Sequence, residues 1–161
     1  MSELTPDQVI RLWHRSYSTV DGLWFMKVEE KYGFEAALDI DEEVWKVQPK
    51  MQARLVKSML NLGAGVDALR ECLTAKLKLE EYDLSTEEIT GKKGFRIVYK
   101  RCPWHELMVK SGRESLSGKV GTRICNTEYA VWAGEFGKDI RFKMQEQICA
   151  GGRSCILEFS T

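Results

Sequence analysis

The sequence predicts an α+β fold: N-terminal helices packed on a four-stranded antiparallel sheet, made of two hairpins separated by two helices. Three observations predict it. Apolar residues recur at three- and four-residue steps from Val9 to Leu77. The period changes to two near Tyr82 and is two again from Ile140 onward. Between those alternating stretches lie two segments with helix-start signals, Cys102-Pro103 and Asn126-Thr127.

The bulk properties frame this fold as one domain over 1–161, with 1–80 as a helical layer and 81–161 as a sheet carrying two inserted helices. A hydrophobic fraction of 43% and a charged fraction of 30% are those of a soluble protein. Twenty-four basic residues balance twenty-four acidic ones, which gives no electrostatic reason to expect nucleic acid or an anionic membrane as partner. No apolar run approaches the roughly 20 residues of a membrane span. The start, Met1-Ser-Glu-Leu-Thr-Pro6, lacks the basic-then-apolar order of a signal peptide, so a cytoplasmic location is expected. Five cysteines, an odd number in such a chain, point to free thiols or metal ligands rather than a disulfide framework.

Thr5-Pro6-Asp7-Gln8 reads as a helix start, with Thr as N-cap, Pro in the first turn and Gln placed for a capping box. Val9, Trp13, Tyr17, Val20, Trp24 and Val28 then form one stripe, expected to be buried, and Tyr32-Gly33 ends the helix. Asp21 falls at the edge of that stripe, as a helix-packing carboxylate or, with Trp24, as part of a ligand-binding wall. Gly22 suggests a close approach by another backbone or a ligand. His14 lies on the flank of the same face, structural or exposed. Phe34–Leu38 adds a short turn of helix. Asp41-Glu-Glu43 is expected to cap a second helix with the stripe Val44, Gln48, Met51, Leu55, Met59 and Leu62, bent by Pro49. After Asn61–Gly65 a third helix buries Val66, Leu69, Cys72, Leu73 and Leu77, with Cys72 as a small core residue.

Glu81–Ile89 and Gly94–Arg101 read as the first hairpin, turning at Gly91–Gly94. Cys102-Pro103 ends it and starts a helix with Cys102 at the N-cap. A thiol there faces the positive end of the helix, which favours the thiolate, nucleophilicity and metal binding. His105 shares that first turn, and Trp104 between them is a candidate ligand-binding residue. A second inserted helix, capped by Asn126-Thr127, carries Tyr129, Trp132 and Phe136. Cys125 sits at its start, with Glu128 three residues on. From Ile140 a strand runs to Cys149, and Gly151-Gly152 turns it into a last strand with Cys155, Leu157 and Phe159 on one side. A two-residue turn pairs Cys149 with Ser154 and Ile148 with Cys155; a three-residue loop pairs Cys149 with Cys155. The alternation favours the first, which puts Cys155 on the helix-facing side and Cys149 on the other.

Arg101-Cys102-Pro103, Ile124-Cys125-Asn126 and Gly151-Gly-Arg-Ser-Cys155-Ile-Leu-Glu-Phe159 resemble the cysteine-containing prokaryotic domains related to vinyl-four-reductase proteins and to L-2-amino-thiazoline-4-carboxylate hydrolases. The resemblance covers roughly the last 80 residues, within the size range of one domain. Asp21-Gly22-Leu23-Trp24-Phe25 with Glu29-Glu30 looks like an uncharacterised prokaryotic family that shares this C-terminal module. The fold implied is that of the ligand-binding domains of nitric-oxide sensors and Golgi transport tethers, which hosts unrelated functions. The group's closing strand is expected to carry a doubled cysteine, where this chain has Ser154 and a single Cys155.

Three functions follow as expectations. In the first, a metal- or small-molecule-binding domain, Cys102, Cys125 and Cys155 supply thiolates and His105 or Glu128 completes the set; zinc suits such ligands, with an iron–sulfur cluster as the alternative. In the second, a hydrolase of a small C–N or C–S substrate, Cys102 attacks with His105 as base, or a metal-bound water attacks. In the third, a dimeric interaction or sensor domain, the cysteines are buried hydrophobes and the aromatic-rich helices form a homodimer.

Overall fold

A computed structural model describes residues 3–161. The chain forms two compact units that meet at Asp41/Glu42, and the α+β class expected from the sequence is the one observed. No helix among the described residues is long and apolar enough to cross a membrane.

The first unit is built on α1 (Pro6–Tyr32) and most of α2 (Phe34–Trp45). The capping box forms as the sequence implies: Gln8 N–H donates to Thr5 Oγ1 at 3.3 Å, and Thr5 N–H donates to Gln8 Oε1 at 2.8 Å. Gly33, at φ +88°, ends the helix in a conformation that an L side chain rarely adopts. The stripe expected to be buried is mostly exposed, Trp13 to 70% and Trp24 to 69%, and of its members only Val28 is buried. Phe25 instead meets Phe34 edge-on, with ring centroids 5.8 Å apart. Apolar residues spread too far around α1 for a single neighbouring helix to cover. Gly22 is not a point of close approach, since a Cβ there would meet nothing within 4 Å. Its cost to helix propensity stands without a packing reason.

The second unit holds α3 (Gln48–Met59), α4 (Val66–Leu79), α5 (Pro103–Lys110), α6 (Glu114–Phe136) and four strands. Asp41-Glu-Glu43 caps no new helix; these residues lie inside α2, and the break comes at Lys46-Val47. Pro49 sits in the first turn of α3, where its missing N–H is not needed, so it starts a helix rather than bending one. Pro49 and Ala53 face inward, while Met51, Leu55 and Met59 of the expected stripe are exposed. On α4 the expected face holds: Val66, Leu69, Cys72, Leu73 and Leu77 are all buried.

The sheet order is β1 (Leu84–Glu88), β2 (Gly94–Tyr99), β4 (Cys155–Ser160), β3 (Arg141–Glu146), antiparallel throughout. On the central pair Tyr99 lies opposite Cys155, Ile97 opposite Leu157 and Phe95 opposite Phe159. Those side chains alternate onto the face that meets Leu69, Leu73 and Leu77 of α4 and Tyr129, Trp132 and Phe136 of α6, forming the core. Two expectations change here. β3 stops at Glu146, after an irregularity beyond Met144, and Ile148–Ala150 is a single 3-10 turn, so neither register considered for Cys149 occurs. And α6 is one helix of 23 residues, which places Cys125 and Glu128 in its middle rather than at a helix start.

Candidate functional site: a thiol cluster beside α6

Two glycines on α6 let a neighbouring segment approach its backbone closely. A Cβ on Gly118 would stand 2.9 Å from the carbonyl oxygen of Cys149, and one on Gly121 would stand 2.5 Å from its Sγ. Bare backbone on this face of α6 admits the 3-10 turn, and Gln147 Nε2 donates to the Gly121 carbonyl at 2.9 Å to fix it. Cys149 is therefore pressed against α6, not turned to the far side of the sheet as strand parity predicts. Cys125, one helical turn after Gly121, shares that face of α6.

Cys155 opens β4, buried, and its Sγ accepts the Ile148 N–H at 3.3 Å. Cys102 is the N-cap of α5, as expected, and is half-buried. The Trp104 and His105 backbone N–H groups point at its sulfur, and the Tyr82 hydroxyl lies 3.9 Å away. Four thiols thus arrive from four elements: the start of α5, the middle of α6, the 3-10 turn and the start of β4. A charge on Cys102, Cys149 or Cys155 raises the pKa of Cys125; Cys102 and Cys149 raise that of Cys155; Cys102 raises that of Cys149.

Burial decides their protonation. It pushes Cys125 well above the usual thiol range, with Glu128 adding to the effect, and pushes Cys155 up to about 11. Cys102 is also raised, because burial outweighs the two N–H groups and the Tyr82 hydroxyl that favour its thiolate. The helix N-terminus therefore does not yield the lowered pKa expected from the cap alone. Three phenols close the surroundings. Tyr82 and Tyr99 pack edge-on with centroids 4.7 Å apart, and the Tyr99 and Tyr129 hydroxyls are 3.5 Å apart. Burial raises all three well above their ordinary value. At neutral pH the site is an uncharged lining of thiols and hydroxyls.

The remaining candidates have other partners. His105 Nδ1 lies 3.0 Å from Ser117 Oγ on α6, so the ring braces α5 on α6 and only the backbone of His105 faces Cys102. Glu128 accepts from Lys76, whose ammonium also pairs with Glu80 at 2.8 Å. All three are buried; burial alone would lower the Lys76 pKa, but Glu128 and Glu80 together raise it. Trp104 meets Trp45 edge-on at 6.3 Å. Asp21 and Trp24 stand on α1 in the first unit, Trp24 exposed and the Asp21 carboxyl pushed up by burial to about 6. Among the described residues, no three His, Cys, Asp or Glu side chains form a group that could hold a metal ion. Sequence reasoning missed Tyr82, Tyr99, Tyr129 and the Lys76–Glu80 partnership, all of which read as ordinary core or helix surface. The signal for Cys149 was present in the pair Gly118 and Gly121, spaced for one helix face.

The fold and candidate site define an α+β domain with cysteines between a long helix and the end of its sheet where β4 begins. The chain belongs to the family of unknown function DUF6125, whose model matches residues 3–153. No curated protein and no solved structure matches it.

Proposed function

We propose that the second unit is a binding domain whose thiol cluster takes a soft metal ion, with zinc the first candidate and an iron–sulfur cluster the alternative. The observation that carries this is the placement of four thiols around α6 and the first residue of β4: the Cys149 sulfur against the Gly121 face of α6 that Cys125 shares, the Cys155 sulfur under the Ile148 N–H opposite Tyr99, and Cys102 beside the Tyr82 hydroxyl. Thiols that each resist ionisation beside the others gain most from a cation that neutralises several thiolates at once. Four sulfurs are a donor set that suits zinc or iron. They would hold the ion after side-chain rotation, while His105 and Glu128 stay with Ser117 and Lys76. A thiophilic small molecule would use the same lining.

Elemental analysis and a visible spectrum of the anaerobically purified chain test the reading. About one equivalent of zinc, lost when the four cysteines are changed together to serine, is the expected result. A brown chromophore would replace zinc by a cluster, and an unchanged metal content in the quadruple variant would sink the proposal.

Self-association is a second reading, favoured by the exposed apolar residues of α1. It concerns a different unit and stands or falls separately.

A further inference from the structure

The outer face of α1 has a regular pattern. Counting from Val9, the residues Val9, Trp13, Ser16, Val20, Leu23 and Lys27 follow alternating steps of four and three, the seam of a two-helix coiled coil. All six are exposed, as are Ile10, Leu12 and Trp24 on its flanks. Phe25, which meets Phe34, lies on the opposite side of the helix, and the buried Val28 stands on the flank shared with Ile10 and Trp24, outside the seam itself. A unit of about 40 residues with two helices is at the size where oligomerisation usually supplies missing burial.

We propose that this seam pairs antiparallel with α1 of a second copy of the chain; the inference rests on the self-association reading above. Two features of the sequence select the orientation. A parallel pair would stack Trp13 on Trp13 and Lys27 on Lys27, one layer overfilled and the other repulsive. An antiparallel pair centred near Ser18 sets Trp13 against Leu23, Val20 against Ser16 and Lys27 against Val9, where the lysine reaches solvent at the end of the seam. The flanks then bring Ile10 to Trp24 and Leu12 to Met26, with no charge opposite a like charge. The helix dipoles also oppose each other favourably.

The area is sufficient. α1 is about 40 Å long, at 1.5 Å per residue. Four tryptophans, each about two-thirds exposed, would remove about 400–700 Å² from water. The aliphatic side chains bring the total to the order of 1,000 Å², where specific interfaces begin.

Two measurements on the full chain test this. Sedimentation analysis should give a dimer for the natural chain and a monomer for Val20→Glu, with helix content by circular dichroism unchanged because Val20 is exposed. A monomeric natural chain would overturn self-association itself. A photo-crosslinker at position 13, in a mixture of isotopically light and heavy chains, should join one copy to residues 20–27 of the other. Inter-chain links to residues 9–17 would overturn the antiparallel arrangement, and links confined to 42–161 would overturn the seam while leaving a dimer intact. A dimer that survives Val20→Glu would also overturn the seam.

Discussion

α1 and α6 are the long helices of the chain, at 27 and 23 residues, and both carry apolar residues at helical spacing, yet their fates differ. α6 buries Ile124, Tyr129, Trp132, Ala133 and Phe136, because α3, α4, α5, the 3-10 turn and β3 all pack against it. α1 buries Val28 and leaves two tryptophans exposed. Periodicity states which face of a helix is apolar. The number of neighbours decides how much of that face is covered.

The largest expected effect comes from exchanging like for like across this contrast. Trp132→Ala, on the covered helix, should cost about 3–5 kcal/mol in urea unfolding, the loss of a fully buried aromatic. Trp13→Ala should change the stability of the isolated fold by no more than about 0.5 kcal/mol, as surface substitutions do, and should act on self-association instead. Equal effects would erase the distinction between the helices. Of similar size is Lys76→Ala, beside α6, which strands the buried carboxylates of Glu80 and Glu128. A cost of about 3–5 kcal/mol is expected. If Lys76→Ala proved neutral, the network would not be a buried one.

On α1 the corresponding polar residue is Asp21, raised from 3.8 to about 6 by burial. The native state holds this proton more tightly than the unfolded chain, so the contribution of Asp21 to stability is greatest below about pH 4 and falls as pH climbs towards 6. At 1.36 kcal/mol per unit the penalty above pH 6 is about 3 kcal/mol. Asp21→Asn should therefore stabilise the chain at pH 7 by up to that amount and flatten the profile between pH 4 and 6. A profile that keeps its slope in the variant would assign it elsewhere. The smallest effect belongs to Gly121→Ala, whose added methyl meets the Cys149 sulfur. About 1–3 kcal/mol of overpacking is expected. Adding Cys149→Ala should recover part of that loss, since the Cβ of Cys149 lies at an ordinary 3.5 Å. Simple additivity of the two changes would mean that the sulfur does not press on Gly121.

The sheet, the inward faces of its second and fourth strands and the buried face of α4 were legible in the sequence because strand alternation and helical period are local signals. Three features were not. Cys149 was misplaced because parity assumes the strand continues, and β3 ends at Glu146. The thiolate preference of Cys102 followed from its cap position, but the cap says nothing of the burial that outweighs it. His105 and Glu128, sound metal ligands by type, are taken by Ser117 and Lys76, residues 12 and 52 positions away in the chain.

Titration of the reduced chain with cobalt(II), followed by thiolate-to-metal absorption, tests most directly whether the four cysteines are one site. One equivalent should bind with release of thiol protons, more tightly as pH rises, and each single Cys→Ser change at 102, 125, 149 or 155 should weaken the band. A band of undiminished strength in the Cys149→Ser and Cys155→Ser variants, or no band in the natural chain, would contradict the account.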